Sequence, residues 1–277
     1  MIRKVYLIVN PKKDPSGAHR DRIREILKEK GIVFVEAVPS GEDTGIRERE
    51  AALCDAVFTV GGDGTLIQAA RELSGIDKPF FAINIGTLGY LTETTMETAP
   101  EALDRLLAGD YQIQERMRLS VTLPNGEVRT ALNDAVLNRT GELHIQRYNL
   151  YIHDKLVHTY RADGLIVSTS TGSTGYNLSC GGAILEPEAQ MMIITPICPH
   201  SVRMTPLVVA GTDVLTIKLL EGAEPGADVV VALDSGRIIP VNPGESLTIR
   251  KAESTTSLIR FEDDSFLDAL YKKMKEN

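Results

Sequence analysis

Ala56-Val57-Phe58-Thr59-Val60-Gly61-Gly62-Asp63-Gly64-Thr65 runs an apolar segment directly into a glycine turn that holds one carboxylate. Ala56 to Val60 reads as a short buried strand, and Leu66 to Leu73 has helical apolar spacing. Three glycines around Asp63 let the backbone come close to a phosphate-bearing ligand. The helix that follows turns free N–H groups and its positive dipole end toward that ligand. A carboxylate repels phosphate, so Asp63 suits two other tasks: accepting a hydroxyl proton, or partnering a metal that travels with the phosphate. The competing reading is a tight βα turn with an Asp cap. The stretch implies kinase chemistry.

Outward from this turn, the first part of the chain alternates strand and helix. Val5 to Val9 is a strand closed by Asn10-Pro11, and Ile23, Ile26 and Leu27 mark one face of a charged helix that Gly31 can cap. Ile32 to Val38 is the next strand, Glu48 to Cys54 a short helix, Phe80 to Ile85 a buried strand and Ala99 to Ala108 a helix. That order predicts an α/β domain with a mostly parallel sheet. Near residue 115 the texture changes to strands and turns. Asn125-Gly126 lies between Leu119–Leu123 and an alternating Val128–Leu137, a strong hairpin signal. Tyr148–His153 and Lys155–Tyr160 flank another turn, and Val208–Ala210, Val214–Leu220, Val229–Leu233 and Ser246–Arg250 continue the β pattern. At the end, Ser257–Phe261 is strand-like, and Phe266, Leu267, Leu270, Tyr271 and Met274 form an apolar helical stripe. The expectation is an α/β domain over residues 1–115 plus 257–277, and a mainly β domain over 116–256. The last helix should pack back on the first domain.

Composition bounds the answer. A chain of 277 residues, 43% hydrophobic, can bury one large core or two ordinary ones. There is no apolar run of membrane-spanning length, and Met1-Ile2-Arg3-Lys4 does not open a signal peptide. Cys54, Cys180 and Cys198 are widely spaced, without a CxxC pair, and read as reduced thiols rather than a zinc site. The net charge of −8 argues against a nucleic-acid partner. It also means that a polyanionic substrate must be met by local donors and a cation. The expected setting is the cytoplasm, without membrane association.

Two further stretches carry chemistry. Leu165 to Ser168 reads as a strand that leads into Thr169-Ser170-Thr171-Gly172-Ser173-Thr174-Gly175, a run rich in donors and suited to a phosphate or sugar. Tyr176 adds a flat face for a heteroaromatic ring. A flexible linker is the alternative, but linkers join separate units and this run interrupts a packed one. In Leu132-Asn133-Asp134-Ala135-Val136-Leu137 an amide and an acid stand side by side at a strand start, which alone reads as an ordinary turn.

In combination these stretches resemble the bacterial NAD kinase (ATP-NAD kinase) family. The Gly-Gly-Asp-Gly-Thr run, the Asn-Asp pair and the Thr-Gly-Ser-Thr-Gly-Tyr loop occur in that family's order and approximate spacing. Asn84-Ile85-Gly86-Thr87-Leu88-Gly89-Tyr90-Leu91 resembles its Gly-x-x-Gly-Phe-Leu segment, and Pro199-His200 with Pro206-Leu207-Val208 fits as well. The resemblance implies ATP-dependent phosphorylation of the adenosine-ribose 2′-hydroxyl of NAD, with an α/β nucleotide-binding domain and a β-rich NAD-binding domain. By analogy Asp63 is the general base, and Gly64 brings backbone close to the ligand. Asn133 and Asp134 match the dinucleotide-binding Asn-Glu pair, and His144, Arg161 and Asp163 fall at further NAD contacts. Thr174, Gly175, Tyr176, Asn177, Leu178 and Ser179 match the loop that holds adenosine and ribose. A divalent cation, Mg²⁺, should accompany ATP, with no protein ligand identifiable, and a homodimer or homotetramer is implied.

Some positions depart from the pattern. Asp134 stands for Glu, Gly175 for Ala, Tyr90 for Phe and Thr205 for an Arg, with Arg203 nearby. Asp234-Ser235-Gly236 replaces the usual Asp-Gly-Gln or Asp-Ser-Gln, so a side-chain amide contact near the ligand is missing. Arg161 could simply pair with Asp163 to hold the loop. A lipid kinase would share Gly-Gly-Asp-Gly-Thr but needs an apolar membrane-binding surface, of which 5% aromatic content gives little sign. A dehydrogenase should carry Gly-x-Gly-x-x-Gly after its first strand, where this chain has Asn10-Pro11-Lys12-Lys13-Asp14. A non-catalytic dinucleotide sensor would have no use for the acid in the glycine turn.

Overall fold

The computed structural model describes residues 2–37, 44–86, 89–141, 145–201, 204–221, 227–261 and 266–276. The chain divides into two compact units, Met1–Glu115 with Thr256–Asn277 and Arg116–Thr255. It opens with β1 (Lys4–Val9), α1 (Ala18–Glu29), β2 (Val33–Glu36), α2 (Thr44–Ala52), β3 (Ala56–Gly61) and α3 (Asp63–Glu72). Then come β4 (Phe80–Asn84), β5 (Thr94–Thr95), α4 (Ala99–Ala108) and β6 (Gln112–Arg116). The second unit contains β7 (Leu119–Thr122), β8 (Val128–Ala131), β9 (Asp134–Gly141), β10 (Gln146–Ile152), β11 (Lys155–Ala162) and β12 (Gly164–Thr169). It continues through α5 (Tyr176–Ser179), β13 (Met191–Ile197), β14 (Leu207–Ala210), β15 (Leu215–Leu219), β16 (Ala227–Leu233), β17 (Ile239–Val241) and β18 (Ser246–Lys251). The chain returns to the first unit with β19 (Thr256–Arg260) and α6 (Phe266–Glu276).

The sheet of the first unit has the order β2-β1-β3-β4-β19-β6, with β5 beside β4. The pairings β1–β2, β1–β3, β3–β4, β4–β5 and β4–β19 are all parallel. Val5, Tyr6 and Leu7 are fully buried, as a central parallel strand covered on both faces must be. Leu7, Phe58, Val60, Phe81 and Ile83 share one core with Ile23, Ile26 and Leu27 of α1 and with Leu103 and Leu106 of α4. The i, i+3, i+4 spacing in α1 is therefore its buried stripe. Phe81 stacks between Phe58 (5.2 Å) and Phe261 (6.0 Å), which binds the returning strand into this core. Buried Glu93 accepts the Phe261 N–H and pairs with Arg260 at 2.8 Å.

The last helix packs on the first unit, but through only part of the expected stripe. The Phe266 ring lies 6.0 Å from the Tyr90 ring, and the Lys273 ammonium sits 4.4 Å from the same ring. These two residues are two turns apart and share a face. Leu267, Tyr271 and Met274 lie one residue further round, about 100° away, and are exposed.

The second unit is two six-stranded antiparallel sheets, β11-β10-β15-β18-β7-β8 and β14-β13-β12-β9-β16-β17. Val121, Leu150, Ile217 and Ile249 of the first share a core with Leu137, Val167, Ile194 and Val231 of the second. Asn125-Gly126 makes the β7–β8 hairpin, with the Gly126 N–H donating to Leu123 O at 2.9 Å. His153 and Asp154, both left-handed, turn β10 into β11 as a two-residue connection.

Two expectations need correction, and one strand escapes the sequence reading. Val128–Leu137 is not one strand: β8 ends at Ala131 in one sheet and β9 begins at Asp134 in the other. The Asp234 carboxylate takes the N–H groups at this break. The hydroxyl-rich run after β12 is not an open loop but a 3₁₀ turn (Thr171–Thr174) followed by α5. Three of its hydroxyls go to carbonyl groups: Thr169 to Leu132 O, Ser170 to Ala189 O and Ser173 to Leu185 O. The β13 strand was hidden by Pro196, which pairs along β12 beyond the stretch facing β14, where its missing N–H costs no ladder bond.

Replacing Glu93 with Ala leaves the half-buried Arg260 without this carboxylate and frees the β19 terminus. We expect a loss of about 3–5 kcal/mol in urea unfolding; a change inside the measurement error would rule out this tie as a major support.

Candidate functional site

In the first unit, β2 lies on one side of β1 and β3 on the other. The carboxyl ends of β1 and β3 therefore frame a topological switch point, the place where open α/β sheets bind ligands. Asn10-Pro11-Lys12-Lys13 leaves β1 there, and Gly62-Asp63 leaves β3. The Asn10 N–H donates to Val60 O (2.9 Å) and its amide to Thr65 Oγ1 (2.9 Å), fastening the two strand exits together. Lys13 holds its ammonium over Gly62, where a Cβ would come within 2.5 Å of Nζ. No side chain caps α3, so its first N–H groups face the crevice with Lys13 beside them. Gly64, the second residue of α3, has open space where a side chain would stand. A cavity of about 720 Å³ opens beside the same strand ends, lined partly by Asn10, Arg20, Thr65 and Gln68. Asp63 is not part of its lining.

The Asp63 carboxylate is held by three consecutive N–H donors. Tyr90 donates to Oδ2 at 2.8 Å, while Leu91 (3.1 Å) and Thr92 (3.2 Å) donate to Oδ1. A carboxylate has about four lone-pair sites, so one acceptor position, on Oδ2, stays open. Gly89 makes this seat possible, because a Cβ there would fall 1.9 Å from Asp63 Oδ1. The three donors orient the carboxylate and leave one acceptor direction open.

In the second unit, Asn133 lies in the break between β8 and β9, and Asp134 is the first residue of β9. Asn133 Oδ1 is buried and has no hydrogen-bond partner among the described residues, a vacant acceptor. Asp134 is buried, and that burial, helped by the charge of Asp234, pushes its carboxyl up to about 7. Burial also raises Asp234, against three N–H donors and the buried Arg118 guanidinium, which favour its charged form. Burial therefore favours the protonated form of Asp134.

The remaining candidates fall into three groups. Tyr176 is 42% exposed, and Leu178 and Ser179 are exposed with it on α5; Thr174 and Gly175 are half-buried just before it. Asn177 is fully buried and committed to the interior: its amide donates to Ser173 O (2.8 Å) and Ala183 O (3.0 Å), and its oxygen accepts from Thr195 (2.6 Å). Arg161 is exposed on β11 and does not pair with Asp163. Asp163 instead binds Arg139 through both oxygens, at 2.9 and 3.1 Å, because the Asp163 N–H and C=O already tie it to the β9–β12–β13 sheet beside Arg139. His144 and Arg203 lie outside the described residues. Sequence reasoning missed Lys13, the Gly89–Thr92 seat and the reach of Asp234. Only Lys13 left a usable signal, a cation just past the first strand.

A switch-point sheet with a seated acid, a lysine and an uncapped helix start, carried with a β-sandwich that presents an amide–acid pair and an exposed ring, defines a nucleotide-dependent phosphotransferase. Residues 5–111 match the ATP-NAD kinase N-terminal domain, and residues 132–261 the ATP-NAD kinase C-terminal domain. The chain belongs to the ATP-NAD kinase family. It is 38% identical to an NAD kinase of Lachnospira eligens, covering 97% of this chain and 99% of that protein. It is 39% identical to an NAD kinase of Moorella thermoacetica, covering 84% and 75%. The fold matches a yeast NADH kinase complexed with NADH (TM-score 0.84, 21% identity, 100% of this chain and 88% of that one). It also matches an Archaeoglobus fulgidus NAD kinase in complex with ATP (TM-score 0.80, 24% identity, 99% of both chains).

A raised Asp134 means that the folded protein holds a proton that an unfolded Asp releases near pH 4. Stability contributed by this carboxyl therefore falls as pH rises from about 4 to about 7 and is level above that. Asp134→Asn should stabilise the protein more at pH 8 than at pH 4.5, by up to about 3 kcal/mol. Urea unfolding at the two pH values decides it, and an equal effect at both would show that Asp134 titrates normally.

Proposed function

We propose that this chain transfers the γ-phosphoryl group of MgATP to the 2′-hydroxyl of the adenosine ribose of NAD, giving NADP and ADP. The observation that carries this reading is the seated Asp63 carboxylate, with one Oδ2 lone pair left open at an uncapped helix start. That lone pair accepts the hydroxyl proton while the ribose oxygen attacks phosphorus and ADP leaves. Phosphoryl transfer needs mainly alignment and charge neutralisation. Lys13 and the α3 N–H groups provide donors for the phosphates, and Gly64 gives them room. Bound with ATP, Mg²⁺ would supply further charge neutralisation on the phosphates. Among the described residues no group of three or more His, Cys, Asp or Glu could hold a metal ion.

The acceptor dinucleotide falls to the second unit. Asn133 Oδ1 offers a desolvated acceptor, and Asp134, protonated near neutrality, can donate as well as accept. The Tyr176 ring stacks the adenine, with Thr174, Gly175, Leu178 and Ser179 around it and Asn177 bracing the turn from within. Arg161, Asp163 and His144 add outer contacts to NAD. The NAD kinase relatives, and the NADH- and ATP-bound structures of matching fold, support both substrates.

The reading includes a cytoplasmic homodimer or homotetramer. Edge strand β11 exposes Leu156 and Val157, a surface suited to pairing with another copy. Among the described residues no helix is long and apolar enough to cross a membrane.

A coupled assay offering ATP with NAD or with diacylglycerol tests the substrate class: NADP should form, and phosphorylated lipid should not. Asp63→Asn should keep the fold and NAD binding by calorimetry but lower kcat by about 10²–10⁴-fold. Near-normal turnover would remove Asp63 as the base. Gly89→Ala, which displaces the seated carboxylate, should lower kcat by about 10²-fold with Asp63 itself intact; an unchanged kcat would show that the seat is not needed.

A further inference from the structure

Asp234 stands 100 residues beyond Asp134, in the turn between β16 and β17, yet its carboxylate reaches the Asn-Asp pair. Oδ2 accepts the Leu132 N–H at 2.6 Å, and Oδ1 accepts the Asn133 and Asp134 N–H groups at 2.8 and 3.1 Å. Three successive peptides thus give their donors to one side chain instead of a strand. The acceptors of the same segment are taken from the other side. Thr169 Oγ1 donates to Leu132 O (2.6 Å), and the Ser168 hydroxyl (3.2 Å) and Thr169 N–H (2.8 Å) donate to Asn133 O. A Cβ at Gly172 would fall 2.3 Å from Asn133 O, so this glycine lets the 3₁₀ turn close on the segment.

The turn that carries the acid is itself well defined. Asp234 and Ser235 both have left-handed φ, 48° and 54°, as the central residues of a turn closed by the Gly236 N–H donating to Leu233 O at 2.8 Å. The Asp234 N–H donates to Asp134 O at 3.1 Å, closing a ring between the turn and the pair. The buried Arg118 faces Asp234 as its countercharge while donating to Thr130 Oγ1 at 2.6 Å. A tight turn, a buried acid and a buried base converge on the peptide segment that carries Asn133 and Asp134.

We propose that Asp234 is the positioning residue of the acceptor-nucleotide subsite, fixing by its three-donor grip the direction in which Asn133 and Asp134 meet the dinucleotide. This rests on the reading that these two side chains bind NAD. A clamp serving only the fold would change stability and leave substrate affinities alone. A clamp that aims the pair acts on one substrate selectively.

Steady-state kinetics of the full chain, varying NAD and ATP separately, distinguish these. Asp234→Asn keeps size but turns an amide NH₂ toward N–H donors. It should raise KM for NAD about tenfold while KM for ATP stays within about twofold. If that variant does not fold, Thr169→Val, which removes the hydroxyl from Leu132 O, should raise KM for NAD about threefold with the same selectivity. Unchanged KM for NAD, or equal rises for both substrates, would overturn the role while leaving the kinase reading standing. If the wild-type chain makes no NADP from NAD and ATP, the kinase reading falls and this role with it.

Discussion

Backbone N–H groups closing on a carboxylate hold the working parts of both units. Asp63 is seated by Tyr90, Leu91 and Thr92, and Asp234 grips Leu132, Asn133 and Asp134. Such charge-assisted bonds are short and directional. In the first case the peptides hold the acid, so that a reactive group has one open direction. In the second the acid holds the peptides, so that neighbouring side chains acquire a fixed aim. Loosening either grip leaves the residues in place and the geometry undefined.

This device suits a chain with a net charge of −8 that must receive anionic substrates. A free, swinging carboxylate at a phosphate site would add repulsion over every orientation it visited. Held by three donors, Asp63 keeps one fixed orientation, while Lys13 and the start of α3 provide local positive potential. The favourable field is built within a few residues of the crevice, and the rest of the surface can remain acidic.

The strand–turn–helix around Asp63 was legible because its information is local: an apolar run, glycines and a helical stripe follow one another. The same holds for Ile23, Ile26 and Leu27, for the Ala99–Ala108 helix and for the Asn125-Gly126 hairpin. Contacts made at long range were not legible. Nothing in Val128–Leu137 announces that an acid 100 residues away will break it, and the alternation that suggests one strand belongs to two sheets. The hydroxyl-rich run looked like a donor surface because composition does not say which carbonyl groups wait beside it. The sequence sets Arg161 beside Asp163, but the sheet pairing brings in Arg139 from 24 residues away.

The position of β19 between β4 and β6 bears on how the molecule comes into being. As the polypeptide leaves the ribosome, β1 to β4 emerge long before β19, so their sheet lacks an interior member until residues 256–260 follow. The sandwich from Arg116 to Thr255 is contiguous and can condense in the meantime. Its compaction draws together the two ends it separates, so the loop-closure entropy of the late insertion is already reduced when Leu258 and Ile259 arrive. Ribosome-bound intermediates should therefore hold an assembled sandwich beside an unfinished parallel sheet.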